Sequence, residues 1–358
     1  MRSRRELLSG LALTVVPRTV LLPAPGPVQD DELKTWDLDY LADNTILTPI
    51  DRFFVRNHFK LPLLEATSWK LSISGRVGRP FDLSYRDLLD QPRRSLTVTL
   101  ECAGNPVGGG AVSTATWAGI SVRELLRRAD LVPGVRFIRL IGSDRGIVGG
   151  PLKPAIAYMR SIPLETALSE DTILAFHMNG GPLSTEHGYP VRAIVPGRYG
   201  MDSVKWITGL EALDRNDLSY FMTERYVAAR LVATGAERTA VGRVLVKSQI
   251  TKPREGETLP VGSYMVRGAA WAGATGISKV EITVDAGKTW VAAQLVTNSP
   301  PYTWVLWQCP WTPQTSGEYT VIARATDAEG RTQPSSRDRL RFDQYENNSY
   351  HAVHCKVV

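Results

Sequence analysis

The feature that most constrains this chain is the stretch from residue 97 to residue 119, where a single cysteine stands between a strand and a glycine-rich loop. The β-rich run from Leu96 to Leu100 predicts a strand that delivers Cys102 to its end. Glycines in the loop would let backbone amides approach a bulky cofactor, and a thiolate is a soft ligand suited to a transition metal. Taken alone, the stretch is equally compatible with a buried structural cysteine beside a tight turn.

Length and charge limit the classes of protein that need to be considered. The 358 residues suffice for two domains of ordinary size, and an apolar content of 43% allows large cores. Residues 1–27 carry four arginines and one glutamate, which is half of the net charge of +6. The basic balance is therefore largely a property of the N-terminus and gives no support for nucleic-acid binding.

The three cysteines are Cys102, Cys309 and Cys355. Their spacing contains no CxxC pair and forms no disulfide-dense framework, and the absence of CxxCH excludes a covalently attached haem. Cys309 and Cys355 could pair in an oxidising compartment, and the sequence leaves that question open.

Residues 1–27 are predicted to be a targeting segment. Ser3-Arg-Arg-Glu-Leu-Leu8 matches the twin-arginine export pattern and precedes an apolar run that reaches Val16. This predicts a periplasmic or otherwise exported protein that folds, and receives any cofactor, before transport. A disordered basic N-terminus is the alternative. No uncharged apolar run approaches the ~18 residues of a membrane span, so no transmembrane helix is predicted.

Residues 28–235 predict an α+β domain with many short elements separated by Gly and Pro. Strand-like runs extend from Trp69 to Ser74, from Leu96 to Leu100, from Phe137 to Ile141 and from Ala193 to Pro196. Two capping boxes, beginning at Ser84 and at Ser121, predict helices. In the second helix the apolar residues fall at helical spacing, namely Val122, Leu125, Leu126 and Ala129.

Residues 236–244 are predicted to be a connection, and residues 245–358 an all-β domain. Lys279 to Val284 and Glu318 to Ala325 both alternate apolar and polar residues, and each is followed by a turn. About 110 residues of this texture predict an Ig-like sandwich.

Several motifs together resemble the sulfite oxidase family of molybdopterin enzymes. Seven blocks of the family pattern occur in order: Arg56-Asn-His58, Cys102-Ala-Gly-Asn105, Gly110 to Gly119, Ser161-Ile-Pro-Leu164, Met178 to Leu183, His187-Gly-Tyr-Pro-Val-Arg192 and Val204-Lys-Trp206. The resemblance covers residues 45 to 355. It implies a sulfite-oxidase-like molybdopterin-binding domain followed by an Ig-like dimerisation domain, and hence a homodimer.

The resemblance implies a molybdenum–molybdopterin cofactor and assigns residues to it. Cys102 matches the position whose thiolate binds molybdenum. The residues matched to cofactor binding are Arg56, Asn57, His58, Cys102, Asp144, His187, Arg192, Ser203 and Lys205. Each of these alone could equally be an ordinary core or surface residue, and their joint occurrence with Cys102 favours the cofactor.

Two residues are assigned to substrate chemistry. The resemblance implies that Arg56 binds an oxyanion substrate near the metal. A gap-free count from Trp206 places the family tyrosine at Tyr226, with Tyr220 as the fallback. A phenol beside a metal-oxo group can donate a hydrogen bond and assist proton movement. With Cys102, Arg56 and Tyr226 form the predicted catalytic set.

The sequence also departs from the family pattern, and the departures concern positive charge. After Asn105 the chain runs directly from Pro106 to Gly110, without the two arginines and the charged insert typical of sulfite oxidases. Asp202 stands where the family has another arginine, and Arg341 is displaced by two positions from the arginine that the C-terminal domain returns.

Binding a doubly charged oxyanion in a desolvated pocket requires several cations. The sequence therefore predicts two-electron oxygen-atom transfer with a larger or neutral substrate, such as a sulfoxide or an N-oxide, and inefficient turnover of sulfite. Arg198 and Arg225 could replace part of the lost charge, so sulfite oxidation remains an alternative, and so does a cofactor-free scaffold. With no b-type haem domain before the catalytic region, an external electron carrier such as cytochrome c is expected.

Overall fold

The computed structural model describes residues 31–43 and 45–358. The predicted twin-arginine segment, residues 1–27, lies outside the described residues. The described chain is mostly β-strand, and its α-helices are short: α1 (Tyr85–Leu89), α2 (Val122–Ala129) and α3 (Leu164–Ala167). Short 3-10 turns cover Leu38–Asp43, Ile50–Arg52 and Gly200–Asp202, and a π-helical turn covers Phe221–Arg225. None of the helices in this part of the chain is long and apolar enough to span a bilayer.

The predicted α+β domain is built around two five-stranded sheets. Its strands are β1 (Glu32–Lys34), β2 (Val55–Asn57), β3 (Lys70–Gly75), β4 (Phe81–Ser84), β5 (Arg94–Glu101), β6 (Val112–Ser121), β7 (Phe137–Gly146), β8 (Ile156–Pro163), β9 (Ile173–Met178), β10 (Gly181–Pro182), β11 (Arg192–Ile194), β12 (Ile207–Leu213), β13 (Val227–Val232) and β14 (Gly235–Ala240). One sheet has the order β10-β9-β6-β5, with β11 also on β9, and the other has the order β4-β3-β12-β7-β8. All four predicted strand runs overlap strands of these sheets.

The two predicted helix starts have different outcomes. At α1 the capping box is present, because Ser84 Oγ accepts from Asp87 N at 3.2 Å and Asp87 accepts from Ser84 N at 2.9 Å. At α2 the predicted apolar face is buried, but Ser121 makes no capping hydrogen bond. The amphipathic pattern, rather than a cap, therefore specifies α2.

The C-terminal region is a sandwich of a four-stranded and a five-stranded sheet. Its strands are β15 (Lys247–Lys252), β16 (Glu257–Leu259), β17 (Tyr264–Trp271), β18 (Ile277–Thr283), β19 (Val291–Ala292), β20 (Gln294–Leu295), β21 (Val305–Trp311), β22 (Gly317–Asp327) and β23 (His351–Val357). Apolar residues from both sheets meet in one core, including Val266 from the first sheet and Val280 and Val321 from the second. Cys309 and Cys355 lie buried in this core as free thiols.

The region between the two domains is more ordered than the sequence suggests. Residues 236–240 of the predicted connection belong to β14, which pairs with β13 as a hairpin. The large core of the first domain also includes Trp271, Trp304 and Tyr345 from the C-terminal region. The two domains therefore share one apolar core.

Candidate active site

All ten residues assigned from the sequence line one cleft, which is called the inner cleft below. They are Arg56, Asn57, His58, Cys102, Asp144, His187, Arg192, Ser203, Lys205 and Tyr226. They come from β2 of the two-stranded sheet, from strands of both five-stranded sheets and from the loops that precede β11, β12 and β13. The structure thus brings the predicted residues together, while their individual roles stay predictions.

Cys102 directly follows β5 and is 9% exposed. Its backbone N–H donates to Ala111 O at 2.9 Å, which holds the start of the loop against the next strand. Burial raises the pKa of the thiol, although the Gly104 amide and the charge of Arg56 oppose that shift. No cluster of three potential metal ligands occurs within residues 31–43 and 45–358.

Three glycines of the loop after Cys102 lie against other parts of the chain. Gly108, Gly109 and Gly110 do not line the inner cleft. A Cβ at Gly110 would lie 2.2 Å from Trp36 O, and one at Gly108 would lie 2.7 Å from His351 Nε2. Gly108 and Gly110 therefore permit close packing against the sandwich and against Trp36. Gly104 lies next to Cys102 with its amide towards the thiol, so for this glycine the approach to a cofactor stays a prediction.

Arg192 and Lys205 form a positive pole at one end of the inner cleft. Arg192 is 5% exposed and donates only to backbone carbonyls, including Ser203 O at 2.9 Å, while its guanidinium lies 4.8 Å from the Trp117 ring. Lys205 Nζ donates to Glu186 O at 2.8 Å and to Asn57 Oδ1. No carboxylate of residues 31–43 and 45–358 forms an ion pair with either cation. Burial lowers the pKa of Arg192 to about 9 and holds that of Lys205 well below its ordinary value.

A glycine sets the spacing of this positive pole. Gly188 has a φ of +104°, and a Cβ there would lie 3.0 Å from Arg192 Cβ and 3.2 Å from Lys205 Cβ. The His-Gly motif therefore lets the loop pass between the two cations. His187 contacts Ile50 O through Nε2 at 3.3 Å, and burial lowers its pKa to about 4, so it stays neutral.

Asp144 provides a buried hydrogen-bond acceptor to which no group of the described residues donates. It is 3% exposed, and its Oδ1 has no hydrogen-bond partner among the described residues. Burial raises the pKa of this carboxyl to about 7, and the charge of Lys205 opposes that rise. An unsatisfied buried acceptor is costly, so it indicates a place where a ligand N–H would bind.

His58 and Tyr226 form a buried polar pair beside Cys102. The Tyr226 hydroxyl lies 2.5 Å from His58 Nε2, and the imidazole stacks on Tyr158 with ring centroids 4.5 Å apart. Burial and nearby arginines hold the pKa of His58 well below its ordinary value, and burial raises that of Tyr226. Tyr220 lines neither cleft at Cys102, so of the two predicted tyrosines it is Tyr226 that lies in the site.

A second opening, called the mouth below, reaches Cys102 from the outside. It shares Arg56, Cys102 and Tyr226 with the inner cleft and adds Asp31, Arg225, Gln344 and Tyr345. Cys102 therefore stands where the inner cleft and the mouth meet. Asp31 and Leu33 from the N-terminal side and Gln344 and Tyr345 from the C-terminal domain contribute to the mouth. The sequence predicted a contribution from the C-terminal domain but not the one from Asp31.

The sequence placed several charged residues at the substrate site, and most of them form ion pairs away from the mouth. Asp202 is fully buried and pairs with Arg160 at 2.8 Å and with Arg198 at 2.6 Å, so it adds no negative charge to the mouth and Arg198 supplies no positive one. Arg341 is held by Asp343 at 2.5 Å and by Glu346 at 3.2 Å. Arg225 does line the mouth. Among the described residues, Arg56 is the other arginine that lines it.

A buried network behind Cys102 was also missed. Glu101 Oε1 accepts from Lys247 Nζ at 2.8 Å, and Glu101 Oε2 accepts from Trp271 Nε1 at 2.8 Å. Asn105 donates to the same carboxylate at 3.1 Å and accepts from Ala111 N at 3.0 Å. The sandwich thereby holds both ends of the loop that carries Cys102. Only one feature of the sequence could have indicated this network: Glu101 is a charged residue directly after the β-rich run from Leu96 to Leu100.

These features fit a molybdopterin cofactor. Buried cations without carboxylate partners match a terminal phosphate, the free oxygen of Asp144 matches a pterin N–H donor, and a solitary cysteine matches a metal that brings its other ligands with it.

Comparison with known proteins agrees with this fit. Residues 58–221 match the family model of the oxidoreductase molybdopterin binding domain, and residues 238–358 match that of the Mo-co oxidoreductase dimerisation domain. Sulfite oxidase from Gallus gallus is 33% identical over 326 residues, which cover 83% of this chain and 70% of that protein. Mitochondrial sulfite oxidase from Homo sapiens is 31% identical over 350 residues, covering 89% and 63% respectively.

The fold is also similar to a solved structure. The crystal structure of the sulfane dehydrogenase SoxCD from Paracoccus pantotrophus aligns with a TM-score of 0.78 and 25% identity, covering 97% of this chain and 93% of that one. The present chain spans 63% of the length of the human relative, so that relative extends beyond the shared region.

Proposed function

The chain belongs to the sulfite oxidase family of molybdopterin-dependent oxidoreductases, and from that premise we propose that it exchanges an oxygen atom between water and a neutral organic sulfoxide or N-oxide. Written for a sulfoxide, the net reaction is R₂SO + 2e⁻ + 2H⁺ → R₂S + H₂O, or its reverse. The electrons come from, or go to, an external carrier such as cytochrome c. The substrate binds in the mouth, on the outer side of Cys102.

When bound, the molybdenum–molybdopterin cofactor supplies the two-electron redox chemistry and the oxygen exchange. In this proposal the chain's own residues hold the cofactor. Cys102 binds the metal, Arg192 and Lys205 bind the phosphate, and Asp144 accepts a pterin N–H. Asn57, His58, His187 and Ser203 complete the wall of the cleft.

The observation that carries the choice of substrate is the small number of cations in the mouth. Arg56 and Arg225 are the arginines that line it among the described residues. The C-terminal segment contributes Gln344 and Tyr345 there, while Arg341 is bound to two carboxylates. A neutral oxide needs only hydrogen-bond donors at its oxygen, and a dianion needs charges that offset its desolvation.

Arg56 and Tyr226 are the proposed donors to the substrate oxygen. Both line the mouth and the inner cleft. Burial raises the pKa of the Tyr226 phenol, so the hydroxyl stays protonated and able to donate. Its contact with neutral His58 gives a short path along which a proton can move as the substrate oxygen is released or accepted.

Sulfite oxidation is the second candidate, and one observation favours it. Arg225 lies beside Arg56 in the mouth, so two guanidiniums could together bind an oxyanion.

The deciding experiment is a substrate panel on purified holoenzyme. Dimethyl sulfoxide, trimethylamine N-oxide and sulfite are assayed with artificial electron donors and acceptors. We expect kcat/KM for a neutral oxide to exceed that for sulfite by about 100-fold. The reverse order would establish sulfite as the substrate. A cofactor-free scaffold would turn over none of the three, and its partner binding would be unchanged by Cys102→Ala.

The partners and the location of the protein are part of the same proposal. The match of residues 238–358 to a dimerisation domain supports a homodimer, which sedimentation equilibrium would test. Export by the twin-arginine route predicts that residues 1–27 direct a fused reporter out of the cytoplasm. Replacing Arg4 and Arg5 by lysine should abolish that export.

A further inference from the structure

A carboxylate of the mouth, that of Asp31, bridges its two arginines. Asp31 Oδ1 lies 2.6 Å from Arg56 Nη1, and Asp31 Oδ2 lies 2.8 Å from Arg225 Nη2. Each oxygen therefore pairs with a different guanidinium, which is how an oxyanion would bridge the same two arginines. The side chains of Arg56 and Arg225 are 17% and 13% exposed, and that of Asp31, at the outer side of the pair, is 29% exposed.

The position of Asp31 is set by regular structure. Asp31 immediately precedes β1, which pairs antiparallel with β2, the strand that carries Arg56. Leu33 lies opposite Arg56, and Glu32 lies opposite Asn57. The register of this strand pair therefore places the backbone of Asp31 at the end of the strand next to the one that carries Arg56.

Further contacts hold this strand in place. Glu32 O accepts from Arg56 Nη1 at 2.9 Å, and Glu32 Oε2 accepts from Asn57 Nδ2 at 2.7 Å. Lys34 at the other end pairs with Glu186. The carboxylate of Asp31 is thus held next to the arginines at a high effective concentration.

We propose that Asp31 is a specificity-determining residue that occupies the oxyanion position between Arg56 and Arg225 and thereby selects neutral substrates. The inference rests on the proposed function and deepens it, because it explains how a mouth with two arginines can still disfavour sulfite. An incoming dianion has to displace a tethered carboxylate, and with Asp31 in place the two arginines present one net positive charge. A neutral oxide needs only a donor and leaves the Asp31 pairs intact.

The test uses inorganic sulfate as a probe that is bound but not converted. Sulfate is titrated into holoenzyme, in which the cofactor phosphate already occupies the inner cleft. The affinity is measured by calorimetry for wild type, Asp31→Asn and Asp31→Glu. We expect Asp31→Asn to bind sulfate about tenfold more tightly than wild type, since the competing carboxylate is gone. Asp31→Glu keeps the charge and should bind sulfate as weakly as wild type.

Two further variants locate the effect. Asp82→Asn removes an exposed carboxylate of β4, outside the mouth, and should leave the sulfate affinity unchanged. Adding Arg225→Met to Asp31→Asn should reverse the gain, because one of the two guanidiniums is then missing. The ratio of kcat/KM for sulfite to that for dimethyl sulfoxide should rise about tenfold in Asp31→Asn.

Equal sulfate affinity in wild type and Asp31→Asn would overturn the inference, and so would a gain of the same size in Asp82→Asn. The sulfate titration needs no turnover. If neutral oxides prove not to be substrates, the proposed function fails, while the effect of Asp31 on anion binding is still measured.

Discussion

Lys247 of the sandwich domain donates a hydrogen bond of 2.8 Å to Glu101, the residue that precedes Cys102. Both side chains are buried, and Lys247 also donates to Asn105 O at 3.0 Å, on the far side of Cys102. One lysine therefore fixes the loop of the proposed metal ligand from the neighbouring domain. The dimerisation domain is in this way part of the structure of the active site.

Replacing this lysine should be costly. Lys247→Met leaves the Glu101 carboxylate buried without its cation, which should lower the free energy of unfolding by about 3–5 kcal/mol. Urea denaturation measures the change. The matched control is Lys252→Met, since Lys252 is a third exposed and lies 3.9 Å from Glu257. It should cost less than about 1 kcal/mol. Equal losses in the two variants would contradict the role given to Lys247.

The positive pole of the inner cleft should destabilise the protein until its anion is bound. In apoprotein from a host that lacks the pterin, Arg192→Met should raise the free energy of unfolding by about 1–3 kcal/mol, because Arg192 is a buried cation without a carboxylate partner. Inorganic phosphate should stabilise wild-type apoprotein more than the variant.

Arg160→Met is the matched control for that prediction. Arg160 is fully buried but pairs with Asp202 at 2.8 Å, so its loss should destabilise the protein. The account of the positive pole fails if Arg192→Met and Arg160→Met lose stability alike, or if phosphate stabilises Arg192→Met as much as wild type.

Acid should weaken one structural ion pair in a predictable way. Burial alone would raise the pKa of Asp217, but hydrogen bonds from Arg139 at 2.9 Å and from Ser161 outweigh it and hold the pKa below its ordinary value. A carboxylate with a depressed pKa stabilises the fold above its unfolded pKa of about 4, and that contribution is lost as the pH falls through the folded value.

Asp217→Asn should therefore cost about 2 kcal/mol at pH 7 and progressively less as the pH falls below about 4. Urea midpoints measured across this range provide the test, with the exposed Asp82→Asn as the control. A cost that is the same at pH 7 and at pH 3 would show that the charge of Asp217 is not what stabilises the fold.

The Tyr226 hydroxyl should matter for turnover and little for cofactor content. Tyr226→Phe keeps the ring that packs on Tyr345 but removes the donor, so kcat should fall by about 10- to 100-fold. Molybdenum per chain should stay at the wild-type value. Tyr220→Phe, outside both clefts, should keep wild-type kcat. If the two substitutions reduced kcat equally, the assignment of Tyr226 would be wrong.

Much of the inner cleft could be predicted because its residues lie in short motifs at strand ends. Cys102 follows β5, Arg192 begins β11, and a gap-free count reached Tyr226. When the strands pair into sheets, these strand ends meet, and the residues at them line one cleft. The apolar spacing in α2 likewise determined which of its residues are buried.

The features that were missed depend on contacts between distant parts of the chain. Asp31 and Arg225 are 194 positions apart, and Glu101 and Lys247 are 146 apart. Asp202 appeared to be a negative charge at the substrate because its partner Arg160, 42 positions earlier, carries no local signal. Local propensity and motif spacing specify strands and loops, but not which charges meet across them.

The most direct test of the account is the molybdenum content of the purified protein, measured by elemental analysis after expression in a host that makes the pterin. Wild type should contain stoichiometric molybdenum, and Cys309→Ala, which alters a buried cysteine of the sandwich core, should contain the same. Cys102→Ala should lose oxygen-atom transfer. Metal-free wild-type protein from a host that loads a control molybdenum enzyme would contradict the account.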